Sequence, residues 1–177
     1  MTILDFILRA DPLSVAIAAA DREPLTYAAL GAAVVETQRS LNSAGLGRKD
    51  KVAIVLPNGP DMAVAFVALS GSVIAAPLNL TFREDEFRFY MQDLDVKALV
   101  VEKASASPAV AAAKSLGIPV MSFADLVLET SARGETTHPG LVGKDEVALV
   151  LHTSGTTSRP KIVPLTQGNL VASAMNI

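Results

Sequence analysis

The stretch KVAIVLPNGPDMAVAFVALSGSVIAAPL, running from Lys51 to Leu78, decides the fold class. Lys51 to Leu56 is an apolar run rich in β-branched residues, which reads as a buried strand. Pro57-Asn58-Gly59-Pro60 is a turn cluster that launches a helix over Asp61 to Val73. Ala75 to Leu78 is a second short strand. From Met62 to Leu80 the chain carries no charge, which approaches membrane-spanning length. Ser70, Gly71, Ser72 and Pro77 interrupt that run, and alanine outnumbers leucine and isoleucine within it. It therefore reads as a core helix feeding a buried strand, and no membrane span is expected.

The same rhythm extends in both directions. Met1 to Pro12 reads as a short amphipathic helix without the basic start, apolar stretch and small-residue cleavage site of a signal peptide. Leu25 to Tyr27 is extended, and Tyr27 to Ala44 has helical spacing closed by Gly45. Beyond the central unit, helices are expected over Arg83 to Asp93, Pro108 to Leu116 and Ala124 to Thr130. Strands are expected over Lys97 to Val101, Pro119 to Ser122 and Glu146 to His152. Strands alternating with helices imply an α/β fold, a mainly parallel sheet layered with helices. Ser131 to Lys144, rich in Gly, Thr and charge, breaks the alternation and reads as an exposed connector.

Composition narrows the function. The 177 residues are 50% hydrophobic and 19% charged, which argues against disorder and is enough for one domain with a real core. A net charge of −3 lacks the basic footprint of nucleic-acid binding. No cysteine is present, so disulfides and thiolate metal sites are excluded, and a cytoplasmic setting is natural. His138 and His152 are the only histidines, too few for a histidine-rich metal centre.

The segment that carries chemistry follows the strand EVALVLH. It is Thr153-Ser154-Gly155-Thr156-Thr157-Ser158-Arg159-Pro160-Lys161, then Ile162-Val163-Pro164-Leu165. Hydroxyl side chains and successive backbone N–H groups in such a loop can wrap an anion. Gly155 lets a ligand approach the backbone, Pro160 stiffens the exit, and Lys161 adds a compact positive charge. The Walker A loop is excluded. Pro160 stands where that motif needs Gly, Ile162 where it needs Ser or Thr, and extended residues where it needs a helix. The loop is expected to join two strands as a hairpin. Taken residue by residue, a plain Ser/Thr/Gly connection and a solvated surface lysine would also fit the pattern.

The string HTSGTTSRPKIV resembles the phosphate-binding signature of the adenylate-forming superfamily of acyl-CoA synthetases, peptide-synthetase adenylation domains and luciferases. Thr153 to Thr157, Pro160, Lys161 and Val163 match that signature; His152, Ser158 and Ile162 depart from it. Upstream, Leu25 to Leu30 (LTYAAL), Lys51 to Ile54 with Asn58-Gly59, and Ala75 to Asn79 with Glu86-Phe87 resemble weaker family marks in the same order. Ser158 in place of glycine, and Ile-Val-Pro after the lysine, are similar to the oxalate–CoA ligase branch.

The resemblance implies the N-terminal part of the acyl-adenylate-forming fold over residues 1 to 177. It implies ATP, Mg²⁺ and coenzyme A as cofactors and a small carboxylate as substrate. Thr153, Ser154, Gly155, Thr156, Thr157 and Lys161 would contact the ATP phosphates, and Thr166 is expected to be a helix N-cap. No catalytic residue and no metal ligand is assigned within these residues. The family's later motifs, the Y-G-x-T-E segment, the ribose-binding Asp and the C-terminal lysine, do not occur here. The 177 residues are thus expected to be inactive without the remainder of their own chain. A peroxisomal tripeptide would also lie beyond Ile177. Two readings of another class are a non-catalytic ATP-binding module and a plain α/β interaction domain. Within ligases, a 4-coumarate-like or fatty acid would be the alternative substrate.

Overall fold

The computed structural model describes residues 1–20, 22–153 and 160–176. A seven-stranded sheet runs through the molecule. Its strands are β3 (Lys51–Val55), β4 (Ile74–Pro77), β5 (Val96–Val101), β6 (Val120–Ala124), β7 (Val127–Glu129), β8 (Val147–Thr153) and β9 (Lys161–Thr166). They lie in the order β7-β6-β5-β3-β4-β8-β9. The five central strands are parallel, and only the edge pairs β6–β7 and β8–β9 are antiparallel. A separate hairpin, β1 (Val15–Ala19) with β2 (Arg22–Thr26), stands at the N-terminal side.

Because strand side chains alternate, each central strand feeds two core layers. Val52, Ile54, Ala75, Ala98, Val100 and Leu149 enter the first layer. Ala53, Val55, Ala76, Leu99, Val101 and Val150 enter the second. The first layer is covered by α2 (Tyr27–Ser43) and α3 (Pro60–Ser70), through Leu30, Val34, Leu41, Val64, Ala68 and Leu69. The second is covered by α4 (Glu84–Asp93) and α5 (Pro108–Ser115), through Phe87, Met91, Ala109, Ala112 and Ala113. This division follows from handedness. The chain steps from β3 to β4 in one direction across the sheet, then from β4 past β3 to β5 and on to β6 in the other. A right-handed crossover puts the connecting helix on opposite faces for opposite directions.

The sequence expectations for the central unit, α2, α4, α5, β5 and β8 hold to within a few residues. Four local readings change. At the N-terminus only α1 (Ile3–Ile7) is helical, and the β1–β2 hairpin replaces the single extended piece at Leu25 to Tyr27. Helix α3 stops at Ser70, so Ser72 and Val73 are buried outside it.

The helix expected over Ala124 to Thr130 is instead a two-residue hairpin. Asp125 (φ 49°) and Leu126 (φ 69°) both take left-handed conformations, and Ala124 pairs with Val127. Phe123 and Leu128 are buried while Val127 and Glu129 face solvent, an alternation of period two. Asp-Leu is not the Asn-Gly or Asp-Gly pair that announces such a turn.

The connector, residues 131–144, has no helix or strand of its own, yet it is anchored. The Val142 side chain is buried and its N–H donates to the Gly71 carbonyl at 2.9 Å. The N–H of Gly140 donates to Asn42 Oδ1 at 2.9 Å, and the N–H of Arg48 to the His138 carbonyl at 2.9 Å. Arg48 Nη1 reaches both carboxylate oxygens of Glu146, at 2.7 and 2.8 Å. The Gly143 N–H, and after it Arg48, holds the Glu146 carboxyl below its ordinary pKa.

The last element, α6 (Gln167–Met175), is capped as expected: the Asn169 N–H donates to Thr166 Oγ1, and the Thr166 N–H to Asn169 Oδ1. Gln167 is fully buried. Its amide accepts from Ile3 N–H at 2.8 Å and donates to the Ser70 carbonyl at 2.5 Å, so one side chain ties α1, α3 and α6 together. Among the described residues, no helix is long and apolar enough to cross a membrane.

Candidate functional site

In a sheet of this kind ligands bind beyond the carboxyl ends of the strands, where neighbouring strands send their connections in opposite directions. Two such places exist here. Between β3 and β5 the chain departs toward β4 on one side and β6 on the other. The small cavity there, about 200 Å³, is lined by Pro57, Asn58, Gly59, Asp61 and Glu102, and its charge is acidic. Between β4 and β8 the chain departs from β4 back toward β5 and from β8 outward to β9. The cavity there, about 410 Å³, is lined by Pro77, Asn79, Tyr90, His152, Thr153 and Pro160 among others. The second place is next to the hydroxyl-rich loop, whose flanking residues Thr153 and Pro160 line it.

Strands β8 and β9 pair antiparallel as the sequence leads one to expect, with Thr153 opposite Lys161 and His152 opposite Ile162. The loop therefore leaves and re-enters the sheet at one point. Thr153 Oγ1 lies 3.5 Å from the Lys161 carbonyl, a long contact across the neck. Thr153 and Lys161 are both exposed, and Pro160 is half-buried against the cavity. Among the described residues Lys161 has no carboxylate partner, so its charge is available at the mouth of the loop. Ser154, Gly155, Thr156 and Thr157 lie outside the described residues. Among the described residues no group of three or more histidine, cysteine or acidic side chains gathers for a metal.

The structure adds a cluster that sequence reasoning did not assemble. His152 Nε2 lies 3.2 Å from Asp93 Oδ2, and both side chains are only 10% exposed. With Asp93 ionised, the contact is a hydrogen bond in the tautomer that carries Nε2–H. The Tyr90 ring meets the imidazole edge-on at 4.6 Å and stacks on Phe82 at 4.6 Å. Phe82 in turn packs edge-on against the buried Phe87 at 5.7 Å. In the sequence His152 is visible only as a departure from the family signature, and nothing local links it to Asp93. A more apolar cavity of about 320 Å³ lies beside the β1–β2 hairpin, where Arg22 is paired bidentately with Asp61 at 2.5 and 2.7 Å. It is remote in sequence from the loop and offers an anion no comparable donor set.

A mainly parallel sheet with helices on both faces defines an α/β domain. The comparison with known proteins is specific: residues 8–177 match the AMP-binding enzyme family, and the chain belongs to it. It is 40% identical over 154 residues to an oxalate–CoA ligase of Arabidopsis thaliana, covering 78% of this chain and 29% of the relative. It is 35% identical over 161 residues to an oxalate–CoA ligase of Saccharomyces cerevisiae, covering 73% of this chain and 30% of the relative. Among solved structures it is similar to o-succinylbenzoate coenzyme A synthetase of Bacillus subtilis in complex with AMP. That match has a TM-score of 0.77 and 25% identity, over 98% of this chain and 44% of the other. The chain thus spans about 30% of the length of the curated relatives.

Proposed function

We propose that this chain is the N-terminal portion of an AMP-forming acyl-CoA ligase whose carboxylate is oxalate. The loop from Thr153 to Lys161 holds the β- and γ-phosphates of ATP. Its hydroxyls and amides donate hydrogen bonds to the phosphate oxygens and Lys161 offsets part of their charge; Mg²⁺, when bound, would offset more. A carboxylate oxygen of the substrate attacks the α-phosphorus, the bond to the β-phosphate oxygen breaks, and pyrophosphate leaves. The thiol of coenzyme A then attacks the acyl carbon and AMP departs with the bonding pair. The contribution of these residues is to position and neutralise the triphosphate. Most of the carboxylate pocket and the coenzyme A site belong to the rest of the protein.

The observation that carries this reading is that Thr153 and Pro160, which flank residues 154–159 of the HTSGTTSRPKIV string, line the β4–β8 crevice, with the exposed Lys161 next in the chain. The oxalate assignment is supported by the two oxalate–CoA ligases among its relatives. Carboxylate-dependent ATP–pyrophosphate exchange is the test. The full-length protein is expected to exchange with oxalate at least ~10-fold faster, in kcat/KM, than with 2-succinylbenzoate, 4-coumarate or a fatty acid, a margin within reach of pocket recognition. A preference for any of those would replace the oxalate assignment. The 177 residues alone are expected to give no exchange, and measurable turnover by them would overturn the division of labour.

A further inference from the structure

The end of β8 that carries the loop is held by the sheet on one side only, by β9, through Leu151–Val163, His152–Ile162 and Thr153–Lys161. Strand β8 meets β4 in a single registered pair, Ala75 with Leu149. From Leu151 the strand turns exposed, with Leu151 itself 37% accessible. Its other neighbour, β9, is an edge strand and resumes only after the same loop. On the other side, His152 ties this end to α4 through Asp93 and into the core through the Tyr90–Phe82–Phe87 ring series. Asp93 is the last residue of α4, where the helix dipole disfavours a negative charge. The imidazole of His152 is one of its partners.

We infer that His152 is a positioning residue for the nucleotide-holding loop. Clamped between Asp93 and the Tyr90 ring, it sets the point and direction at which Thr153 leaves β8, and so aligns the loop with the triphosphate. This rests on the reading of Thr153 to Lys161 as the phosphate site. The role is conveyed through the backbone, as the first loop hydroxyl belongs to the next residue, Thr153. It predicts a cost in ATP binding, and a small one in the chemistry that follows.

The test is steady-state kinetics of the full-length enzyme carrying His152→Phe, Asp93→Ala, both together, or Asp93→Asn. Each of the first two should raise the KM for ATP ~10-fold, the effect of losing one charge-assisted tie, with kcat and the KM for coenzyme A changed less than ~2-fold. Because the two side chains share one tie, the double variant should stand well below the ~100-fold product of the single effects. Asp93→Asn should recover most of the loss, since the amide oxygen still accepts the Nε2–H. A simple packing role would lower the melting temperature without this split between substrates. If His152→Phe does not accumulate, His152→Gln serves in its place. The inference is overturned if the single variants leave the KM for ATP unchanged while Lys161→Ala raises it, or if the double variant multiplies to ~100-fold. If Lys161→Ala itself has no effect, the phosphate-site reading fails first and takes the inference with it.

Discussion

Replacing Lys161 by alanine in the full-length enzyme is expected to lower kcat/KM for ATP about 100-fold while leaving the fold intact. The lysine is exposed at the first position of β9 and has no carboxylate partner among the described residues, so removing it breaks no ion pair described here. Surface changes of that kind shift stability by about 0.5 kcal/mol or less. A charge-assisted contact to phosphate contributes about 1.5–3 kcal/mol, which corresponds to roughly 10- to 200-fold. Lys161→Arg should recover part of the loss, because it keeps the charge but spreads it over a larger planar group. Thermal melts run beside the kinetics check the claim that the damage is to binding. Unchanged ATP kinetics would remove Lys161 from the site.

The second large effect concerns the fold. Gly47→Ala should lower the melting temperature by about 6–12 °C, from a destabilisation of about 3 kcal/mol at 2–4 °C per kcal/mol for a chain of this size. A Cβ at Gly47 would lie 2.3 Å from the His138 carbonyl oxygen and 2.3 Å from Thr136 Oγ1. The first of these is backbone, so relief requires moving the connector. Moving it endangers the Arg48 N–H bond to His138 and the Arg48 Nε bond to the Pro139 carbonyl at 3.1 Å. Through Glu146, the same arginine holds the start of the β8 approach. A melting temperature within about 2 °C of wild type would mean that the connector is only loosely attached and could yield at little cost.

The parts of this fold legible in the sequence are those governed by one strong local signal. The KVAIV run, the Pro-Asn-Gly-Pro turn and the alanine-rich helix after it specify a parallel unit with no help from distant residues. The β8–β9 hairpin was legible because extended residues stand where a Walker-type loop would have a helix. The segment Ala124 to Thr130 misled because ADLVLET is compatible with a helix, and only the sheet edge offered by β6 makes its two-residue period pay off. The connector reads as an exposed loop from its composition and has no helix or strand, but its anchoring could not be read, because its backbone donors meet Asn42 and the Gly71 carbonyl far away in sequence. The candidate site divides in the same way. The loop announces itself as a contiguous string, whereas the His152–Asp93 pair joins residues on β8 and α4 that only the topology brings together.

The claim on which the functional reading depends is that the loop from Thr153 to Lys161 grips the triphosphate of a nucleotide. The most direct measurement is a crystal structure of the full-length protein with Mg²⁺ and an ATP analogue that cannot be cleaved at the α-phosphate. The account predicts β- and γ-phosphate oxygens at hydrogen-bonding distance, about 3 Å, from the loop amides, the Thr156 and Thr157 hydroxyls and Lys161 Nζ. A triphosphate bound elsewhere, with those amides already paired to protein carbonyls, would contradict it.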